Sequence, residues 1–441
     1  MSENPYLSGN FAPVDQERTD LELEVTGQIP VELSGRLLRI GPNPIAPNPE
    51  TYHWFTGNGM LHGVRLREGR AEWYRNRFVL DDEIVEARGL PPVAGPARDM
   101  LGGGVANTNV IGHAGKTYAI IEAGNLPVEL TDELETVARV DFGGTLPGGF
   151  TAHPKRDPDT GELHCAVYSP MFEQIQHVVV GADGKVNRVV DVPVPGRPMV
   201  HDCALTENFF ILLDLPVILD PETGSSFPFA WHPEYGARVG LLPRNGQADE
   251  VVWCEVEPCF VFHPLNAYED EDGRVVLDVI RHPKMFATDS HGLNEGVPTL
   301  DRWIVDPRGG KVKEERLDDR GQEFPRMDER RIGKPYRYGY TTRFEEVGFG
   351  GIYKHDLKDG KIEVHDEGPA RQFMEAVFVP RSDDADEDDG WVMTYVYDAS
   401  SNKTDVVIQH AQDFSGAPVA TIHLPARVPF GFHGNWLPDA G

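Results

Sequence analysis

An all-β fold, and within that class a β-propeller, is what this sequence predicts, and three observations predict it. Hairpin turn signals recur along almost the whole chain, sustained helical periodicity is nearly absent, and the 46 glycines and 36 prolines punctuate the sequence throughout instead of gathering in one linker. The turn signals are Glu68-Gly69-Arg70, Ala114-Gly115-Lys116, Asp159-Thr160-Gly161, Asp183-Gly184-Lys185, Asp272-Gly273-Arg274, Arg308-Gly309-Gly310, Asp359-Gly360-Lys361 and Asp389-Gly390-Trp391. Asp-Gly and Gly-Gly between β-branched runs mark hairpins because such turns need positive φ. The runs between them, such as Val275-Val276-Leu277-Asp278-Val279-Ile280 and Trp391-Val392-Met393-Thr394-Tyr395-Val396-Tyr397, read as strands. Hairpins repeated over most of 441 residues point to radial repetition, which leaves few sheet edges open. No strict repeat of the WD type is present, and turn spacing alone does not give the number of blades.

Taken in order, residues 1–30 read as an extended arm that packs on the propeller, and residues 31–441 as a single propeller domain with catalytic function. Two stretches break the hairpin pattern. Residues 214–238 hold Asp214-Leu215-Pro216-Val217-Ile218-Leu219 and Phe227-Pro228-Phe229-Ala230-Trp231, and read as a long apolar loop with prolines. Residues 382–389 form an acidic run that reads as a solvated hairpin tip.

Hydrophobic residues make up 40% of the chain, enough for a large core. Asp and Glu number 71 against 41 Lys and Arg, a net charge of -30 that repels nucleic acid and anionic lipid and reads as a solvated acidic surface. Cys165, Cys203, Cys254 and Cys259 have neither a disulfide-framework spacing nor a metal-pair spacing, so they are expected to be reduced core thiols. The start, Met1-Ser2-Glu3-Asn4-Pro5-Tyr6, is polar and without an apolar signal core, and no stretch reaches the ~18 apolar residues of a spanning helix. A soluble, cytoplasmic protein is expected, with peripheral membrane contact still open to it.

Four of the sixteen histidines stand in apolar or aromatic company. They are His153 in Phe150-Thr151-Ala152-His153-Pro154-Lys155, His201 in Met199-Val200-His201-Asp202, His263 in Cys259-Phe260-Val261-Phe262-His263-Pro264, and His433 in Val428-Pro429-Phe430-Gly431-Phe432-His433-Gly434-Asn435-Trp436. The last lies close to the chain end, where a polar, mobile tail would be ordinary. Separations of 48, 62 and 170 residues exclude a local zinc finger and match inner strands of different blades that each point one ligand at the axis. Imidazole suits zinc, copper, iron and nickel, so the pattern by itself leaves the metal open. Four neutral imidazoles do not compensate a divalent charge, and carboxylates accepting the other ring N–H are expected behind them. Glu122, Glu323 and Glu375 each sit among apolar residues, a costly place for an unpaired carboxylate; on an alternating strand each would equally face solvent.

Further motifs lie around these residues. They are Asn4-Pro5-Tyr6-Leu7-Ser8-Gly9-Asn10-Phe11-Ala12-Pro13-Val14, Arg39-Ile40-Gly41-Pro42-Asn43-Pro44, His53-Trp54-Phe55-Thr56-Gly57-Asn58-Gly59-Met60-Leu61-His62-Gly63-Val64 and Ala106-Asn107-Thr108-Asn109. On these and the four histidine motifs, over nearly its whole length, the chain resembles the carotenoid cleavage oxygenases, non-haem iron enzymes that split conjugated double bonds. The resemblance implies a seven-bladed β-propeller whose long loops cap a metal site on the axis, with one iron(II) ion, Fe(2+), per chain. It implies His153, His201, His263 and His433 as ligands, Glu122, Glu323 and Glu375 as partners of three of them, and Thr108 as the side chain that crowds an otherwise open iron site. The family usually reads Asp-Gly-Asp-Gly-Met after Phe55, whereas Thr56 and Asn58 replace both acids here; this is expected to be a turn detail. The similar stilbene-cleaving branch carries Lys immediately before the first of the glutamates, to contact a substrate phenol. That position is Ile121, and the partner Tyr has no clear counterpart in the segment 95–104.

Other catalytic signatures fail. Gly115-Lys116-Thr117 lacks the first glycine of a phosphate loop, Gly348-Phe349-Gly350-Gly351 opens no helix, and neither His-Glu-x-x-His nor Gly-x-Ser-x-Gly occurs. The expected activity is dioxygen-dependent cleavage of one conjugated C=C bond in a carotenoid or apocarotenoid, giving two carbonyl products. The expected partners are an apolar polyene and dioxygen, with no nucleic acid. Phe55, Ile121, Phe262 and Phe432 are candidate tunnel walls; Phe227, Phe229 and Trp231 are candidates for its mouth and for a patch that dips into a membrane. The rivals are a stilbene- or phenylpropanoid-cleaving oxygenase, disfavoured by Ile121, and a non-catalytic propeller that serves as a binding platform.

Overall fold

The computed structural model of the chain describes residues 4–96, 101–224, 227–293, 295–345 and 348–439. Residues 1–3 of the polar N-terminus and residues 97–100 of the segment 95–104 lie outside the described residues. Among the described residues there are seven sheets of four to six strands and one two-stranded ribbon, the strand arrangement of a seven-bladed β-propeller. The eight predicted turns all fall between strands. At the first, Glu68 and Gly69 both take positive φ (51° and 72°), which twists the chain back so that Arg70–Phe78 pairs with Gly59–Arg67.

One expectation needs correction. The sequence between 214 and 238 is not a loop. Val217–Leu219 and Phe229–Trp231 pair antiparallel as a ribbon, and Pro221–Thr223 and Pro233–Tyr235 form single 3-10 turns. Pro221 and Pro233 open these short turns, and the ribbon strands are too short to show an alternation. One α-helix, Asp82–Arg88, also went unread, because seven residues make only two turns. Its ends are orderly: the Asp81 carboxylate accepts from the Ile84 N–H, acids fill the first turn, Arg88 the last, and Gly89 ends it at φ 63°. The acidic run 382–389 is a hairpin tip as read, but it is tied inward. Asp389 pairs with Arg381 at 2.8 Å, Asp388 with Lys354 at 3.1 Å, and Glu387 accepts the backbone N–H groups of Arg337 and Tyr338.

The chain divides into two compact units, and each has its own sheets. The first comprises Met1–Ile121, Leu126–Val140 and Arg337–Gly441. In it the last strand, Gly434–Pro438, pairs with Gly35–Pro42, while the N-terminal strand Glu24–Gly27 pairs with Ala420–His423. Each end of the chain therefore completes a sheet begun by the other, so the aromatic tail is fixed within a sheet. Leu38, Ile40, Leu61, Val110, Ala119, Val128 and Leu437 form one buried cluster beneath these strands. The second unit comprises Glu122–Asn125 and Asp141–Tyr336. Its sheets include Leu163–Val167 with Gln174–Val180 and Val186–Pro193, and Pro264–Glu269 with Val275–Arg281 and Thr299–Val305. Cys165, Cys203, Cys254 and Cys259 are free and buried, as the sequence predicts.

A close approach of backbone fixes the tail in the first unit. A Cβ on Gly41 would lie 2.4 Å from the Gly431 Cα, so residues 430–434 run against 38–41 only because both positions lack side chains. Gly41→Ala is therefore expected to destabilise the fold by about 1–3 kcal/mol, the usual cost of forced overpacking, read as a lower urea midpoint. Gly112→Ala, whose Cβ would meet Leu437 side-chain carbons and the Lys116 carbonyl oxygen at ordinary contact distance, should leave the midpoint nearly unchanged. Equal midpoints for the two variants would contradict this packing.

Candidate metal centre

His153, His201, His263 and His433 are all buried, and one ligand nitrogen from each lies within 4.8 Å of the others. His201 Nε2 stands 3.0 Å from His153 Nε2 and 3.3 Å from His263 Nε2. The opposite ring nitrogens of three of the four face carboxylates. His201 Nδ1 lies 2.9 Å from both oxygens of Glu122, His263 Nδ1 2.6 Å from Glu323 Oε2, and His433 Nδ1 2.8 Å from Glu375 Oε1. An ionised carboxylate only accepts, so each of these imidazoles carries its proton on Nδ1 and presents a lone pair at Nε2. The lone pairs of His201 and His263, whose Nε2 atoms stand 3.3 Å apart, repel unless a cation lies between them. Two ligand nitrogens about 2.1 Å from one ion and at right angles to each other would stand about 3.0 Å apart. The donor set therefore fits a single metal ion.

Local structure aims each ring. His433 is held on both backbone sides: its N–H donates to Thr108 O, and its carbonyl accepts from the Ile40 N–H. Glu375 accepts from His433 Nδ1 with one oxygen and from the Gly434 N–H with the other, both at 2.8 Å. Asn435 adds donations to Asn109 Oδ1 and Val110 O. The His153 N–H donates to Thr151 Oγ1, and the chain reaches it past Gly149, where a Cβ would lie 2.2 Å from the Gly124 Cα. Asp202, next to His201, is buried and accepts from Lys155 Nζ at 2.9 Å. Its nearer oxygen is 3.7 Å from His153 Nδ1, too far for a hydrogen bond.

Two of the three glutamates precede a non-glycine residue in left-handed backbone conformation: Ala123 at φ 62° and Phe324 at φ 51°. That conformation is strained, most of all for a bulky residue, and it turns the chain sharply just after the carboxylate. Phe324 then stacks on the His263 ring, 5.5 Å between centroids, and its N–H donates to Glu323 Oε2. Burial alone would raise the Glu323 carboxyl, but its hydrogen-bond partners His263 and His282 outweigh it and hold the group well below the usual carboxylate range. Burial, then the charge of Glu122 and a hydrogen bond to it, push the Tyr168 hydroxyl well above its ordinary value.

His282, Tyr168 and Phe324 are contacts that sequence reasoning missed. His282 and Tyr168 carry no spacing signal, and Phe324 reads as an ordinary apolar strand residue. Thr108 is buried, with its hydroxyl donating to Asn107 Oδ1 at 2.9 Å. Asn107 in turn donates to Phe55 O and Gly57 O, so the motif around Thr108 is a brace for the turn at 55–57. The departure at Asn58 also has a physical reason. Its amide donates to Asp81 Oδ2 and Glu83 Oε2, both at 2.9 Å, where an aspartate would bring three carboxylates together.

The candidate walls fall into two aromatic series, one in each unit. Phe55 and Phe432 meet edge to face at 5.6 Å, with Trp54 4.6 Å from Phe432. In the second unit the series runs from His201 to Phe262 (5.1 Å), Phe286 (6.5 Å), Phe227 (5.1 Å) and Phe229 (5.3 Å). Phe227 and Phe229 are buried, so they do not present the membrane-facing patch expected of them; Trp231 is half-buried. Ile121 is partly buried and packs against the Leu38–Leu61 cluster. No helix among the described residues is long and apolar enough to cross a membrane.

Seven propeller sheets and a buried four-histidine group backed by carboxylates define a metal-binding β-propeller. The family profile described as retinal pigment epithelial membrane protein matches residues 11–438. A carotenoid cleavage oxygenase of Mycobacterium tuberculosis is 43% identical, over 99% of this chain and 98% of its own. Among solved structures, a lignostilbene dioxygenase of Pseudomonas brassicacearum superposes with a TM-score of 0.90 at 29% identity, covering 99% of this chain and 98% of that one. A variant of the Synechocystis apocarotenoid oxygenase superposes at 0.86 and 28% identity, covering 97% of both chains, as does a cobalt-substituted form of the Synechocystis enzyme. The chain belongs to the carotenoid oxygenase family and is a dioxygenase.

An amide can accept through only one of its two atoms, so Glu375→Gln cannot satisfy both His433 Nδ1–H and the Gly434 N–H. Glu122→Gln, Glu323→Gln and Glu375→Gln are each expected to weaken metal binding by about 10–100-fold, measured by chelator competition on anaerobically loaded protein. Unchanged affinity in all three would show that these carboxylates do not tune the metal.

Proposed function

We propose that the chain binds one iron(II) ion through His153, His201, His263 and His433 and cleaves a conjugated C=C bond of a carotenoid or apocarotenoid with dioxygen. The observation that carries this reading is the convergence of four buried imidazoles, three of them turned by carboxylates so that Nε2 faces inward. Iron at this site would supply the redox chemistry that lets dioxygen react with a closed-shell alkene, which a redox-inert ion such as zinc does not. Alkene plus dioxygen gives two carbonyl groups with every atom accounted for and no net proton. The site accordingly needs no general acid or base, only rigid ligands, charge compensation and a dry surface. Glu122, Glu323 and Glu375 compensate the ion's charge one ring away from it. Phe262, Phe286, Phe227 and Phe229 supply apolar faces on which a polyene can lie and from which water is excluded. Phe55 and Phe432 offer the same in the first unit. Four free, buried thiols support a reducing, cytoplasmic setting.

The second reading, cleavage of a stilbene or phenylpropanoid, draws support from the similarity to the lignostilbene dioxygenase. Ile121 weighs against it. A hydroxylated substrate buried without a partner for its phenol loses hydrogen bonds to water that nothing replaces, whereas an isoleucine adds apolar wall worth about 1.5–3 kcal/mol if fully covered.

Replacing any of the four histidines by Ala should leave folded protein with little iron and no cleavage, read by metal analysis and product mass; full iron content and activity in one variant would remove that residue from the ligand set. The substrate class is tested by kcat/KM for a carotenoid or apocarotenoid and for a 4-hydroxystilbene, on wild type and Ile121→Lys side by side. The wild type should strongly prefer the polyene, and the lysine should depress polyene cleavage sharply. Comparable wild-type values for both substrates, or normal polyene cleavage by the variant, would contradict the assignment.

A further inference from the structure

Two of the three carboxylates behind ligand histidines are held by a second donor, and the donors differ in kind. Glu375 has the backbone N–H of Gly434, and Glu323 a second imidazole, His282. His282 is buried, and its Nε2 lies 2.8 Å from Glu323 Oε1. The other oxygen of Glu323 takes His263 Nδ1–H at 2.6 Å and the Phe324 N–H. Since the carboxylate only accepts, His282 carries its proton on Nε2. Its Nδ1 is buried with no hydrogen-bond partner among the described residues. An imidazole with one nitrogen left unsatisfied gains nothing in packing over an apolar side chain of similar size. What distinguishes it is the one bond it makes.

We infer that His282 is a positioning residue for the metal centre: it fixes the carboxylate of Glu323, and through it the orientation and donor strength of His263. The fold places it for this role. His282 and Phe260 exchange both backbone hydrogen bonds in an isolated antiparallel bridge, which sets His282 beside the strand entry that carries Phe262 and His263. The Phe262 ring stands edge to face with it at 5.3 Å. With Oε1 occupied, Glu323 cannot rotate to offer a different oxygen to His263, and the plane of the ligand imidazole is locked from behind. The inference rests on the metal-centre reading above, and the experiment separates the two.

The test uses the full chain loaded with cobalt(II), with affinity from chelator competition and ligand geometry from the visible d–d absorption. His282→Met removes the donor and keeps volume, and should weaken cobalt binding by about tenfold and shift the d–d bands. His282→Gln, whose amide nitrogen reaches about as far as Nε2, should restore both. Added to Glu323→Gln, His282→Met should cost nothing further, because its action runs through that carboxylate. Wild-type affinity and spectrum in His282→Met, or an effect that adds in full to Glu323→Gln, would overturn the inference. Unchanged cobalt affinity in Glu323→Gln alone would overturn the inference too, whereas failure of the wild-type chain to bind cobalt would overturn the metal-centre reading instead. Should His282→Met not fold, nitrogen-15 spectra of histidine-labelled wild type decide: a protonated, hydrogen-bonded Nε2 on His282 is required, and a proton on Nδ1 in its place refutes the role.

Discussion

A hydrogen bond from Nδ1 of a buried histidine to a buried carboxylate is the interaction on which the rest of this structure depends. It does three things at once. It fixes the tautomer, so that Nε2 keeps a lone pair; it fixes the ring plane; and it brings a negative charge near a place where four neutral ligands would leave a cation uncompensated. The bond is made three times, by His201, His263 and His433, over 2.6–2.9 Å. His153 makes no such bond with the nearest acid, Asp202, which is engaged by Lys155.

Holding those bonds in place is work for the fold. The ends of the chain complete each other's sheets, and His433 sits just before the strand that does so. The Gly41–Gly431 approach lets that tail lie flat against the first sheet. Elsewhere the means are local: positive φ at Ala123 and Phe324 turns the chain just beyond Glu122 and Glu323. Strain of this sort persists only where surrounding contacts over-determine it, and here the stacking of Phe324 on His263 supplies such a contact.

The fold class was legible because hairpin turns have a strong local chemistry: Asp-Gly and Gly-Gly pairs announce positive φ without help from tertiary structure. The small ribbon at Val217–Leu219 and Phe229–Trp231 and the two-turn helix Asp82–Arg88 were not, since elements that short carry too few residues to show a period. The histidines and glutamates were visible as polar residues in apolar company. His282 and Tyr168 were not, because a buried imidazole or phenol is ordinary until its partner is known, and the partner lies far off in sequence. The outward aromatic patch read into Phe227 and Phe229 turned inward for a simple reason: sequence shows that a stretch is apolar but not which side of it faces the core.

The central claim is that one metal ion takes its protein ligands from imidazole nitrogen alone. X-ray absorption at the iron edge of anaerobically loaded protein tests it most directly. The account predicts a first shell containing four imidazole nitrogens at about 2.1 Å, with the outer-shell scattering typical of the imidazole ring. A first shell with sulfur, with protein carboxylate oxygen in place of imidazole, or with fewer than four imidazoles would contradict it.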